Sequence, residues 1–149
     1  GVVDPTGYDG SMNLPDDLLA LDLTPHPEGG FFRETHRSEA CTVIDFVLLA
    51  GQVSRWHRVH GAEEVWLHHR GAPLALHLLH DDGRHERVRL DADRATAVVP
   101  AGCWQAAEPL DGDWVWVSCV VAPPFTFDRF ELGHADGPHV DGLERFGPG

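Results

Sequence analysis

The chain has no lysine. Its 11 basic residues are all arginine and stand against 24 Asp and Glu, giving a formal net charge of −13. A surface of that sign repels nucleic acid and anionic lipid, which excludes both as main partners. Cysteine is scarce: Cys41, Cys103 and Cys119 lie far apart, with no Cys-x-x-Cys to nucleate a zinc knuckle. An odd count does not make a disulfide framework, so the three read as small buried apolar groups. No apolar run reaches the roughly 18 residues of a membrane span. No basic segment leads into the apolar core of a secretory signal, and a cytoplasmic address is the default expectation. There is no Gly-x-Ser-x-Gly for a serine hydrolase, no phosphate loop and no dinucleotide fingerprint. Methionine occurs once, at Met12 after Gly10-Ser11. Residues 1–11 therefore read as an expression remnant or a disordered linker.

What is present suits one globular domain. In 149 residues, 42% are hydrophobic, and five Trp and seven Phe supply large core side chains. Pro15 followed by Asp16 and Asp17 marks a short helix over 15–21, stopped by Pro25 and Pro27. From Phe31 onward, short β-branched and aromatic stretches alternate with turn residues about every 8–12 positions, the pattern of an all-β sandwich or barrel. Strands are expected over 42–50, 53–59, 63–69, 73–80, 84–90, 97–99, 114–121 and 125–132. Asp81-Asp82-Gly83 makes a hairpin signal. The domain is read as residues 12–133, with 134–149 a loose tail rich in Gly, Pro and charge.

Alternation places Arg55, His57 and Val59 on one strand face and Glu64, Trp66 and His68 on one face of the next. The short turn at His60-Gly61-Ala62 allows the two strands to pair as a hairpin, with His57 near Glu64. A buried Glu is costly unless paired, and His57, a metal ion or a bound ligand would each serve.

These residues resemble a known family. Gly51, five residues, His57, then Glu64, six residues and Gly71 resemble the first cupin motif, and Pro100-Ala101-Gly102-Cys103-Trp104-Gln105 resembles the second. Val59 stands where the first motif has a second His, and Gln105 where the second motif has His. Pro27-Glu28-Gly29-Gly30-Phe31-Phe32-Arg33-Glu34-Thr35 resembles the early strand of the dTDP-sugar 3,5-epimerases, which are also cupins. Gly29 stands where that family has an Arg, and the only Tyr, Tyr8, lies outside the matching region. As a set, His26-Pro-Glu-Gly-Gly30, Trp56-His57-Arg58, Glu64 with Trp66, Pro100-Ala-Gly102 with Trp104-Gln105, and Ala122-Pro-Pro-Phe125 are similar to the cupins labelled predicted sugar epimerases.

The resemblance implies a double-stranded β-helix, or jelly-roll barrel, around a pocket, and a homodimer that takes a small-molecule substrate. It implies catalytic roles for His57 and Glu64, and substrate contacts from Gln105, Glu34, Arg33, Trp66 and Trp104. Three functions stay open. In an isomerase or epimerase, His57 held by Glu64 would abstract a proton beside a carbonyl. In a metal-dependent oxygenase, decarboxylase or cyclase, His57, Glu64 and Gln105 would ligate a divalent metal ion. In a non-enzymatic protein, the Trp-rich pocket would only bind its ligand. The remaining His residues read as solvated or hydrogen-bonded.

Overall fold

The computed structural model describes residues 14–148, so the expectation for residues 1–11 lies outside the described residues. Helix α1 (Asp16–Leu19) is one turn that buries Leu18, shorter than the stretch expected from 15 to 21. The rest is strand: β1 (Thr24–Pro25), β2 (Phe31–Arg37), β3 (Thr42–Leu48), β4 (Ser54–Val59), β5 (Glu63–Gly71), β6 (Leu74–Leu79), β7 (His85–Leu90), β8 (Thr96–Val99), β9 (Trp104–Pro109), β10 (Val115–Ala122) and β11 (Phe130–Leu132). These form two antiparallel sheets, ordered β1-β2-β3-β10-β5-β8 and β11-β4-β9-β6-β7. The fold is the expected all-β jelly roll.

Period-two burial identifies the interior. In β10, Val115, Val117, Cys119 and Val121 are buried while Trp116, Ser118, Val120 and Ala122 are only partly so. In β5 the inward residues are Glu64 and Trp66. Between the sheets, Phe46, Leu48, Trp66, Leu74, Leu76, Leu90 and Val115 form the main core. Phe46 and Trp66 meet edge to face at 5.9 Å between centroids, a geometry that contributes about 0.5–1.5 kcal/mol beyond the area buried.

Four expectations are corrected. First, β4 and β5 are not a hairpin. The turn at His60–Ala62 carries the chain from one sheet to the other, so His57 and Glu64 face each other across the barrel. Second, β9 was not expected as a strand, because Gln105, Ala106, Ala107 and Glu108 lack β-branched residues. It forms by tertiary pairing between β4 and β6, which overrides weak local propensity. Third, the segment after 133, expected to be loose, packs on the outside of β4. Phe146, in a short 3₁₀ turn (Glu144–Phe146), is fully buried against Trp56. Strand β4 is consequently buried on both faces, His57 inward and Trp56 outward. Fourth, the stretch 125–132 is strand only at its end; residues 123–129 are a loop carrying Phe125 and Phe127. The Asp81–Gly83 hairpin forms as expected, pairing Leu79 with His85.

Candidate functional site

The barrel holds an open-mouthed cavity of about 280 Å³. Its polar wall is His26, Glu28, His57 and Glu64, with Cys119 beside them. Its apolar wall includes Phe32, Ile44, Val59, Phe125, Phe127 and Phe130, and Glu34 and Arg37 stand at the mouth.

His57 is buried on β4. Its Nδ1 lies 2.8 Å from the Arg55 carbonyl oxygen, which can only accept, so Nδ1 carries a proton. Its Nε2 lies 3.0 Å from Glu28 Oε2. Burial alone would lower the His57 pKa, but the Glu28 carboxylate outweighs it and lifts the ring from 6.5 to about 9. Burial would likewise raise Glu28, but the rings of His26 and His57 outweigh it and hold the carboxyl at about 2. The pair is thus imidazolium and carboxylate. The second histidine behaves oppositely. The Glu28 backbone N–H donates to His26 Nδ1 at 3.1 Å, which leaves the proton on Nε2. Burial lowers the His26 pKa, the Glu28 carboxylate opposes that, and the His57 charge adds to it.

Glu28 reaches the barrel through the turn between β1 and β2. Gly29 and Gly30 both have positive φ, at 111° and 75°. A Cβ on Gly29 would run into the Val53 carbonyl oxygen, so only glycine lets this turn lie flush against the start of β4. The Arg55 N–H donates to the Glu28 carbonyl at 2.8 Å and fixes the approach.

Glu64 enters from the opposite sheet. The Gln105 side chain donates to its Oε1 at 3.0 Å, and the Trp66 indole N–H donates to Gln105 Oε1 at 2.7 Å. This chain fixes which way the Gln105 amide points. Burial, the largest influence, raises the Glu64 pKa; His57 opposes it, Glu28 adds to it, and the result is about 7. The Cys119 thiol lies against the same carboxyl, and burial raises it well above its usual range.

The expected site residues divide accordingly. His57 and Glu64 line the cavity. Gln105 lies behind Glu64 as its cross-barrel support and is the Cα partner of His57 across β4 and β9. Trp66 is wholly core and acts only through its N–H. Glu34 reaches the mouth, where its carboxylate takes two hydrogen bonds from Arg37, whose Nη1 also donates to the Phe125 carbonyl at 3.0 Å. Arg33 is exposed on β2 and does not line the cavity. Trp104 lies on the outside beneath the Arg58 guanidinium, 4.3 Å from its ring centroid. Sequence reading gave no role to Glu28, His26, Arg37 or Cys119. The first two stand in the His-Pro-Glu-Gly-Gly stretch, where the glycine pair was the signal that the backbone comes close to something.

A metal ion, implied by the cupin motifs, does not fit this donor set. The His57 Nε2 faces a carboxylate, the Gln105 oxygen faces an indole N–H, and Val59 has no donor atom. Among the described residues, no group of three or more His, Cys, Asp or Glu is arranged to hold a metal.

The family model described as Cupin superfamily (DUF985) matches residues 18–133. The chain is a cupin. Among solved structures, this cupin is 35% identical to a protein of Shewanella oneidensis over 78% of this chain and 82% of that one, with a TM-score of 0.74. It is 28% identical to a hypothetical protein from Leishmania major over 76% and 83%, with a TM-score of 0.67. Oxalate decarboxylase of Bacillus subtilis, at 16% identity over 74% of this chain and 30% of that one, TM-score 0.62, shares the fold. No curated protein matches the sequence. Among the described residues, no helix is long and apolar enough to cross a membrane.

Proposed function

We propose that this cupin is a small-molecule enzyme of isomerase or epimerase type that moves a proton beside a carbonyl. The observation that carries this reading is a carboxyl group, Glu64, buried on the wall of the cavity and brought to about 7, facing a histidine held as a cation. Proton transfer is most effective when the transferring group has a pKa near the working pH. Two carboxyls in one site with pKa values pushed far apart have separate jobs. Glu28 stays charged and holds His57, while Glu64 takes and returns the proton.

This assignment departs from the one the sequence suggested, in which His57 was the base. With Nδ1 on a carbonyl and Nε2 on Glu28, His57 has no free lone pair to accept a proton. It serves instead as a fixed positive charge near the developing enolate. His26, with its proton on Nε2, lines the same cavity and supplies a hydrogen-bond donor for the enolate oxygen. Gln105, locked by Trp66, orients Glu64.

The cavity limits the substrate. At about 280 Å³ it falls just below the usual range for ligand sites, about 300–1,000 Å³. That fits one sugar-sized or smaller molecule. Phe125, Phe127 and Phe130 contact one another at the mouth and suit an apolar or planar end. The only arginine on the cavity lining, Arg37, is already paired with Glu34, so a neutral or singly charged substrate is favoured over a multiply charged one.

The test is proton exchange. The protein is incubated in D₂O with a panel of keto sugars and small oxo acids, and loss of the C–H signal beside the carbonyl is followed by NMR. The expected result is exchange with at least one class, reduced about 10²–10⁴-fold in Glu64→Gln. Exchange undiminished in that variant contradicts the reading. Ligand-induced melting shifts without exchange favour the non-catalytic binding protein.

A further inference from the structure

The cavity holds an ion pair at the place where the cupin motifs put a metal ion. We infer that Glu28 has taken over the metal's place: it engages the ligating nitrogen of His57, and the resident cation of this site is the imidazolium rather than a divalent ion. The inference is independent of the proton-transfer proposal, since metal binding can be measured whether or not any substrate exchanges.

The four positions that would ligate in the two motifs are His57, Val59, Glu64 and Gln105. Each is accounted for without a metal. The His57 ring has both nitrogens engaged, Nδ1 by the Arg55 carbonyl at 2.8 Å and Nε2 by Glu28 Oε2 at 3.0 Å. A carbonyl oxygen and a carboxylate both accept, so both ring nitrogens carry protons and neither lone pair is left for a metal. Val59 is a buried hydrocarbon. Gln105 turns its oxygen to the Trp66 N–H at 2.7 Å and its NH₂ to Glu64, so it presents hydrogens to the carboxylate, the wrong polarity for a shared cation. Glu64 takes hydrogen bonds from the Gln105 amide and the Cys119 thiol, and one carboxylate does not hold a divalent ion tightly.

These substitutions support one another. Glu28 comes from outside both motifs, from the turn between β1 and β2, and arrives only because Gly29 and Gly30 let that turn press against β4 and β3. Trp66 and Gln105 are fully buried and point at each other. A site that had merely lost one ligand would leave the remaining donors unpaired in the barrel. Here every buried polar atom of His57, Glu64 and Gln105 has a partner, and the two orphaned buried side-chain atoms among the described residues, on Ser54 and His77, belong to none of the motif positions.

The experiment uses the whole chain without a histidine tag. Cobalt(II) chloride is titrated in at neutral pH and followed by visible absorption and calorimetry, and the imidazole nitrogens are read by ¹⁵N NMR. The expected result is no stoichiometric cobalt binding and a His57 ring with both nitrogens protonated. Binding at one cobalt per chain that is lost in His57→Ala, or a His57 ring with a bare Nε2, overturns the inference. In a second arm, Glu28→Ala, Val59→His and Gln105→His are combined to return the motif donors. Stoichiometric cobalt binding by this variant supports the exchange. If it folds, judged by circular dichroism and a cooperative melt, and binds none, Glu28 is not what excludes the metal. If it does not fold, the wild-type titration decides by itself.

Discussion

Oε2 of Glu28 lies 3.0 Å from Nε2 of His57, and both side chains are buried. Breaking a buried pair from one side leaves an uncompensated charge, so Glu28→Ala is expected to lose about 3–5 kcal/mol of stability. Denaturant unfolding of Glu28→Ala, His57→Ala and the double variant measures this, and the double variant should be more stable than the two separate losses would add to. A strictly additive cycle contradicts the pairing.

The same pair shapes the pH dependence. His57 is raised in the fold, from 6.5 to about 9, so its contribution is fully present below 6.5 and is lost as pH rises through 9. Glu28 is lowered, from 4.5 to about 2, so its contribution is present above 4.5 and is lost as pH falls through 2. The pair therefore stabilises most between about 4.5 and 6.5. Stability measured against pH should fall less steeply toward pH 9 in Glu28→Gln than in the wild type. An unchanged alkaline slope would go against the assignment.

Gly29 tests how Glu28 is delivered. Its φ of 111° and the Val53 oxygen beside it leave no room for a methyl group. Gly29→Ala is expected to destabilise the protein by more than about 1 kcal/mol. It should also alter the His57 ring signals in the way Glu28→Gln does. A destabilised variant with unaltered His57 signals would uncouple the turn from the site.

Phe146 tests the last segment. Its ring is wholly buried and lies 6.1 Å from Trp56, centroid to centroid. Phe146→Ala should cost about 3–5 kcal/mol in thermal or chemical unfolding. A loss under about 0.5 kcal/mol, the usual range for a surface change, would mean that residues 134–148 do not support β4.

The barrel was legible from the sequence because its signals are local. Alternation in β10, the β-branched run of β3 and the Asp81-Asp82-Gly83 turn each depend on neighbours along the chain. Gly51, His57, Glu64 and Gly71 carried the family spacing, and they led to two of the four polar side chains of the cavity wall. The remainder depended on contacts between distant segments. Strand β9 has little propensity of its own and exists because β4 and β6 flank it. Glu28 and His57 are 29 positions apart, and nothing local marks that carboxylate as turned inward. Only the two glycines after Glu28 hinted at it. Trp104 and Arg33 were assigned to the pocket by motif position, but the inward alternation of each strand carries Gln105 and Glu34 toward the cavity instead.

Cys119 offers a check on Glu64. The thiol donates to this carboxyl and favours its charged form. Cys119→Ala removes that donor and should move the pH midpoint of Glu64 to a higher value, read as an alkaline shift of the exchange profile. A midpoint that stays in place would remove Cys119 from the site.

Glu64 titrates near neutrality while facing His57, which keeps its charge up to about pH 9. The direct measurement is a pH titration of the side-chain carboxyl carbons by ¹³C NMR, with Glu64→Gln identifying the resonance. The account requires a Glu64 midpoint near 7, with Glu28 ionised throughout. A Glu64 midpoint at the ordinary glutamate value of 4.5 would contradict it.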